Sequence, residues 1–429
     1  MGTGHVKRAF KYRFYPTDAQ ARELSRTFGC VRKVYNMALA ARTEAWTMRQ
    51  ERINYNATSA MLTAWKKSEQ LAYLNEVSSV PLQQCLRHLQ GAFTNFFAKR
   101  AKYPRFKSRK KSRSSAEYSS SAFRFRNGHL YLAKMTEPLA IVWSRPLPTG
   151  AVPSTVTVSR DSAGRWFVSL LCEDPDVKPL PVTGSAVGLD AGLNHLVTLS
   201  TGEKITNPRH ERKDRARLAK AQRELSRKAK GDGANRAKAA HKVATIHARI
   251  TDRRRDALHR LTTRLVRENQ TVVIEDLAVH AMVKNRALAR AISDAAWSEL
   301  RSMLEYKCTW YGRQLVVVDR WFPSSKLCSS CGTLQARMPL NVRTWTCENC
   351  GTAHDRDVNA AKNLRAAGLA VSACGAGVRP QRRYPGRQSV MKQEAPRREP
   401  WESSPLGEGR KSSLGLGLRR RRGGRGGEG

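Results

Sequence analysis

The chain has no run of about 18 apolar residues, so no transmembrane helix is expected. The basic N-terminus, Met1 to Phe14, lacks the apolar core of a secretory signal. Acidic residues are scarce: 35 Asp and Glu stand against 78 Lys and Arg, a net charge of +43. Cysteine is too irregular for a disulfide framework. There are nine, an odd number, and Cys30, Cys85, Cys172, Cys308 and Cys374 are scattered singly. That usage suits a reducing compartment, and a cytoplasmic location is expected. The segment from Gly375 onward holds 14 basic and 5 acidic residues, which leaves +34 on the rest. So large a field repels itself unless a polyanion neutralises it, and nucleic acid is the natural counter-charge. A solvated basic surface without a partner is the blander reading.

With 429 residues, two to four domains are expected. Lys7 to Tyr15 alternates basic with aromatic or apolar side chains, the period of a strand, and Pro16-Thr17-Asp18 ends it with a helix cap. Ala19 to about Arg100 reads as a helical bundle. Leu24, Phe28, Val31, Tyr35 and Leu39 share one apolar stripe, and Leu82, Leu86, Leu89, Phe93 and Phe97 another. Lys99 to Arg113 packs nine Lys or Arg around Tyr103 and Phe106, read as a phosphate-tracking loop with stacking platforms or, more plainly, as an exposed basic loop. Ser121 to Glu173 reads as β structure, with a hairpin about Asn127-Gly128 and another about Asp161 to Gly164. An antiparallel barrel or sheet is expected, with the N-terminal strand paired into it and the helices as an insertion.

After the linker Pro179 to Gly184, Ala186 to Asp190 and Leu196 to Leu199 read as a hairpin. Pro208 to Arg267 is helical, interrupted near Lys230 to Gly233. Thr271 to Ile274 is a strand ending at Glu275, Ser293 to Trp310 a helix, Leu315 to Val318 a strand, and Val358 to Ala367 a helix. The Gly-, Arg-, Ser- and Pro-rich tail from Gly375 cannot bury a core and is expected to be disordered.

Two constellations carry chemistry. Cys328-x2-Cys331 and Cys347-x2-Cys350 have the spacing of a closed, structural zinc ribbon, and Gly332 and Gly351 follow the pairs where a tight knuckle turn needs them. Asp190 and Glu275 close two strands, and Asp355 and Asp357 open the last helix. This order of elements is that of an RNase H-like fold. Converging carboxylates need a cation, and Mg²⁺ prefers such hard oxygen ligands; two ions can clamp both oxygens of a phosphodiester displacement. His354 has no assigned role.

At these residues the sequence resembles the TnpB (OrfB-type) family of bacterial insertion sequences, relatives of the type V CRISPR effectors. The resemblance spans about residues 6 to 368. It rests on Lys11-Tyr-Arg-Phe-Tyr-Pro-Thr17, Phe28 to Asn36, Tyr103 to Lys107, Gly188-Leu-Asp-Ala-Gly192, Ile274-Glu-Asp-Leu277, Ile292 to Trp297, Phe322 to Lys326, and the ribbon with Asp355 to Asn363. It implies an RNA-guided DNA endonuclease of a transposable element, with a guide RNA and a double-stranded target as partners, and a bacterial, nucleoid-associated location. Target DNA would be cut beside a short transposon-adjacent motif. The implied architecture is multidomain α+β. Residues 1–16 and 101–180 would form a wedge-type β-barrel around a helical bundle at 17–100. Residues 185–327 and 354–372 would form an RNase H-like (RuvC) nuclease domain with a zinc ribbon inserted at 328–353, and 375–429 a basic tail. The family motif Asp-x-Asn-Ala-Ala makes Asp357, rather than Asp355, the partner of Asp190 and Glu275. Tyr55 and Gln83 fall where the family contacts the adjacent-motif duplex. A strand-transfer transposase would order its acids Asp, Asp, Glu, unlike the order here. A non-cleaving RNA-guided repressor would be expected to lack one of the three.

Overall fold

The structure, a computed structural model, describes residues 6–110, 112–229, 233–339 and 341–374. The expected tail lies outside these residues, as does most of the expected interruption near Lys230.

The first half begins with β1 (Val6–Phe14), whose alternation turns Phe10, Tyr12 and Phe14 inward and Lys7 and Lys11 outward. Thr17 then caps α1 (Asp18–Arg49) in a reciprocal capping box with Gln20. Next come α2 (Tyr55–Lys67), capped by Asn54, and α3 (Ser79–Phe97). The strands β2 (Ser114–Ser119), β3 (Phe123–Arg126), β4 (His129–Leu132), β5 (Ile141–Val142), β6 (Thr155–Arg160) and β7 (Trp166–Asp174) follow. The Asn127-Gly128 signal is realised as the β3–β4 turn, with both residues at positive φ, 52° and 76°. Five strands pair antiparallel in the order β2-β6-β7-β1-β5, and β1 runs against the whole of β7 from Val6↔Asp174 to Phe14↔Trp166. The N-terminal strand therefore completes a sheet whose other members lie a hundred residues away, with the helices inserted between. Phe14, Val156, Val158, Val168 and Leu170 share one core with Leu24, Phe28, Leu82 and Leu86 of the helices. Among the described residues no ladder joins β2 to β5, so backbone hydrogen bonding does not close these strands into a ring.

The second half carries β8 (Ala186–Ala191), β9 (His195–Leu199), β10 (Lys204–Thr206), α4 (His210–Ser226), α5 (Gly233–Glu268), β11 (Thr271–Glu275), α6 (Val279–Met282), α7 (Ala289–Ala295), α8 (Trp297–Trp310), β12 (Gln314–Val318), β13 (Thr344–Thr346), β14 (Ala353–Asp355) and α9 (Arg356–Cys374). The sheet order is β10-β9-β8-β11-β12. The first three strands are antiparallel, whereas β8, β11 and β12 are parallel. One face packs Val187, Leu189, Val272 and Ile274 against Leu258, Leu265, Trp297 and Leu304 of α5 and α8. The other packs Val273, Val316 and Val318 against Leu364 and Ala367 of α9.

The helix expected over Ser293 to Trp310 is broken at Ala296, which sits at φ 53°. Long-range ties hold both sides of the break. Asp294 accepts the Glu211 N–H on both oxygens at 3.0 Å, capping the start of α4, while Trp297 Nε1 donates to Leu196 O at 3.2 Å. Periodicity alone shows neither contact. The last helix also begins two residues earlier than expected, at Arg356, because Asp355 Oδ1 accepts the Val358 N–H at 3.0 Å and caps it there.

Candidate active site and metal centre

Register places the first two carboxylates. Leu189 lies opposite Ile274 across the parallel ladder, so Asp190 and Glu275, the next residue on each strand, follow at the same level on backbones about 4.8 Å apart. Side chains two apart on a strand share a face. Asp190 therefore shares a face with Gly188, and Glu275 with Val273, and both of those residues lie under α9. Asp357, in the first turn of α9, is brought over the same edge. The approach is close because it is made through small residues. A Cβ on Gly188 would fall 2.1 Å from Ala361 O, and one on Gly368 2.5 Å from Val273 Cγ2.

Electrostatics links the three. Burial, and behind it the charges of Asp357 and Glu275, push the Asp190 carboxyl up to about 8, with Arg356 and Arg343 partly offsetting them. Burial, then Asp276, raises Glu275. The two neighbouring acids are differently engaged. Asp276 is paired with Arg301 at 2.7 Å and with Arg320, which hold it low. Asp355 is pushed up by partial burial, but Lys204 Nζ at 2.6 Å and the Val358 N–H more than reverse this. Asp357 lies 3.7 Å from Arg343. The carboxylates are electrostatic neighbours rather than a closed cage: among the described residues, only the four cysteines bring three or more ligand atoms tightly together.

Those four sulfurs all lie within 4.8 Å of one another. Cys328 Sγ is 3.7 Å from Cys350 Sγ, and Cys331 Sγ 3.6 Å from Cys347 Sγ. A tetrahedral ion with Zn–S of about 2.3 Å spaces its sulfurs by about 3.8 Å, so the donor set fits zinc. Each knuckle is the same turn. Cys328 N donates to Thr333 O and Gly332 N to Cys328 O, as Cys347 N does to Thr352 O and Gly351 N to Cys347 O, all at 2.9 Å. Gly332 and Gly351 take φ of 74° and 68°, which a side chain would strain. The Thr333 hydroxyl, 3.3 Å away, draws the Cys331 thiol down to about 5, toward the thiolate a metal needs.

Several residues tie the ribbon to the carboxylates, and the sequence reading assigned them no role. His354, buried against Trp345, places Nε2 3.0 Å from Cys328 Sγ. The buried Asn359 accepts the Ser329 N–H at 2.9 Å and donates to Leu327 O at 2.7 Å. Asn363, one turn on, donates to Ser324 O and Leu327 O. Two asparagines four apart on a helix were the available signal.

Comparison with known proteins follows this geometry. A Streptomyces pristinaespiralis protein named as a candidate RNA-guided DNA endonuclease is 73% identical over 394 residues, 91% of this chain and 97% of its own length. An Escherichia coli protein of the same description is 35% identical over 86% of this chain and 94% of its own. The chain belongs to the TnpB (OrfB) family. Family profiles agree in order along the chain: "Helix-turn-helix domain" of the OrfB type at residues 1–51, "Probable transposase" (OrfB_IS605) at 169–286 and "Cas12f1-like, TNB domain" at 297–364. In this TnpB-family chain the described residues of the first match form one strand and one unbroken helix. The fold is similar to that of Cas12f1 in a complex with sgRNA and target DNA, with TM-score 0.54, 14% identity, and coverage of 84% of this chain and 99% of that one. It is similar also to a CRISPR-Cas_phi3 mini-endonuclease, with TM-score 0.51, 9% identity, and coverage of 87% and 94%.

Of the remaining candidates, Tyr55 opens α2 and Gln83 is exposed on α3. Arg87, one turn beyond Gln83, lies over the Tyr55 ring at 5.6 Å. Tyr103 is less free than expected of a stacking platform: it packs edge-on against Phe93 and Phe96 and its hydroxyl meets Thr43 Oγ1 at 2.8 Å. Phe106 is exposed. No helix of the described residues is long and apolar enough to cross a membrane.

Proposed function

We propose that this protein is an RNA-guided DNA endonuclease of a transposable element. It cuts target DNA beside a short adjacent motif by phosphodiester hydrolysis at Asp190, Glu275 and Asp357. The observation that carries this reading is the level placement of Asp190 and Glu275 on neighbouring parallel strands, facing the helix whose first turn holds Asp357. The sheet, with three antiparallel strands followed by two parallel ones, supports an RNase H-like (RuvC) domain spanning 185–327 and 354–372. The ribbon at 328–353 is an insertion within it. The first half is read as the wedge module, 1–16 and 101–180, around the helical insertion 17–100.

The chain's own residues divide the work. Asp190, Glu275 and Asp357 offer oxygen donors whose mutual repulsion Arg356 and Arg343 only partly offset. Such a set suits Mg²⁺, which when bound supplies charge neutralisation at the phosphate and an activated water. Arg343 and Arg356 add positive charge at the same edge. Asp276 and Asp355, held in ion pairs, frame the site. Cys328, Cys331, Cys347 and Cys350 would hold a zinc ion whose role is structural, since all four donors come from the chain. The basic body grips guide RNA and target DNA, and Tyr55, Gln83 and Arg87 face the adjacent-motif duplex. The names of the relatives and the contents of the Cas12f1 complex support these partners.

The test is cleavage of a matched target by protein purified with its co-expressed RNA. Cleavage should require Mg²⁺ and RNA and should vanish in Asp190→Ala. Cleavage that survives Asp190→Ala, or that needs no RNA, sinks the reading.

A further inference from the structure

We propose that Trp321 is a stacking platform for an unpaired base of the DNA strand being cut, held at the rim of the carboxylate site. The proposal rests on the reading of Asp190, Glu275 and Asp357 as that site.

Trp321 is 79% exposed, more than any other large aromatic among the described residues. The other described tryptophans have something to do. Trp166 stacks on Phe28, Trp310 packs at a tilt against Tyr306, Trp345 lies against His354, and even the half-exposed Trp46 has Arg52 over its ring. Trp321 has no ring partner, no cation over it and no acceptor for its indole N–H among the described residues.

Yet the segment that carries it is tightly built. The Trp321 N–H donates to Asp319 Oδ1 at 2.8 Å and the Phe322 N–H to Asp319 O at 3.0 Å, closing a turn directly before and after the ring. Arg320 is ion-paired with Asp276, the residue after Glu275. Phe322 packs with Val273, Val316, Val318, Leu364 and Ala367. Ser324 O is held by Asn363 Nδ2 at 2.8 Å. A large apolar ring thus stands in water on a frame fixed at both ends, which a merely tolerated surface residue does not require.

The location decides the occupant. Val318 is the register partner of Glu275, and Asp276 N donates to Val318 O at 2.9 Å. Trp321 follows three residues later, so its Cα lies within about 11 Å of that of Val318. Phe322 belongs to the face of the sheet covered by α9, the face Asp190 and Glu275 share. A polyanion entering this edge is attracted by Arg343 and Arg356, and its bases need an apolar surface once unpaired. An indole supplies that for any base, without sequence preference.

Three measurements test this with the RNA-loaded full chain. First, Trp321→Ala should raise KM for a matched target about ten-fold while Trp321→Phe stays near wild type, the loss expected of one base stack. Second, an abasic site should be walked along the cleaved strand. At one position near the cut it should slow wild type about ten-fold and leave Trp321→Ala unchanged. Third, in an Asp190→Ala background, a 5-iodouracil at that position should cross-link to Trp321 on irradiation. A Trp321→Ala protein with unchanged KM, or abasic profiles of the two proteins that run parallel, overturns the platform. Failure of wild type itself to cleave overturns the carboxylate site instead. The melting temperature of Trp321→Ala should stay close to wild type, since most of the ring stands in solvent.

Discussion

The four cysteines and the three carboxylates lie side by side, yet they are built in opposite ways. The cysteines come from two copies of one local turn, each closed by its own backbone hydrogen bonds and its own glycine. Their sulfurs are already gathered, so metal binding costs little rearrangement there and its free energy becomes folding free energy. The carboxylates come from β8, β11 and α9, elements far apart along the chain, and nothing local orients them. They are held near one another against their repulsion, and burial, reinforced by that repulsion, pushes Asp190 up to about 8. A metal held by the first group is part of the architecture. A metal held by the second relieves strain that the fold has stored, and can leave.

The contrast can be tested hardest at the last helix. Asp357→Asn should lower cleavage at least about a thousand-fold, roughly 4 kcal/mol of barrier. Asp355→Ala removes a cap and the Lys204 pair, so it should cost about 1 kcal/mol of stability and leave cleavage within a few-fold. Equal losses in the two variants would erase the distinction between a reacting and a framing acid. Next in size is the ribbon. Cys347→Ser should release zinc, measured by metal analysis, and reduce cleavage about ten- to a hundred-fold through the hydrogen bonds of Asn359 that tie the ribbon to α9. It should not abolish cleavage, because α9 is also held by Gly188 and Gly368.

Proton linkage sharpens the comparison further. The folded Asp190 takes up a proton well above the ordinary carboxylate range, 3.8 for an aspartate. Its contribution to stability is therefore full below about pH 4 and is lost as pH rises toward 8 in metal-free protein. A magnesium ion at the proposed site would need the deprotonated form, so its apparent affinity should rise up to roughly ten-fold per pH unit between pH 6 and 8. Calorimetric titrations at several pH values would measure it, and a flat profile would separate Asp190 from the metal. The smallest effect is expected where the two regions meet. Asn359→Ala removes two hydrogen bonds from a buried position and should lower unfolding free energy by about 2 kcal/mol, with zinc content unchanged.

What the sequence revealed divides along the same line. Features set by neighbours in the chain were readable: the Asn127-Gly128 turn, the paired cysteines with Gly332 and Gly351, the strand that ends at Glu275. Features set by distant contacts were not. Asp294 within the quoted Ile292 to Trp297 motif had no visible purpose until its carboxylate was found capping a helix 83 residues away. Ala296 carries no signal for the left-handed conformation it adopts. Arg343 is one arginine among many until the fold sets it 3.7 Å from Asp357. Tyr103 in a basic run reads as a free ring, but Phe93 and Phe96 claim it. Among the carboxylates the order along the chain was legible, while the facing direction needed the register of β8 against β11.

The bare backbone at Gly188 has a consequence for how the chain can change. Because α9 docks through that contact, the position of Asp357 does not depend on how long a path the chain takes between β12 and α9. That path is a port. Added length there costs loop entropy, about 0.6 kcal/mol per doubling, while the docking surface stays the same. Foreign segments spliced between Leu334 and Arg343 should leave cleavage intact, whereas a single methyl on residue 188 should not.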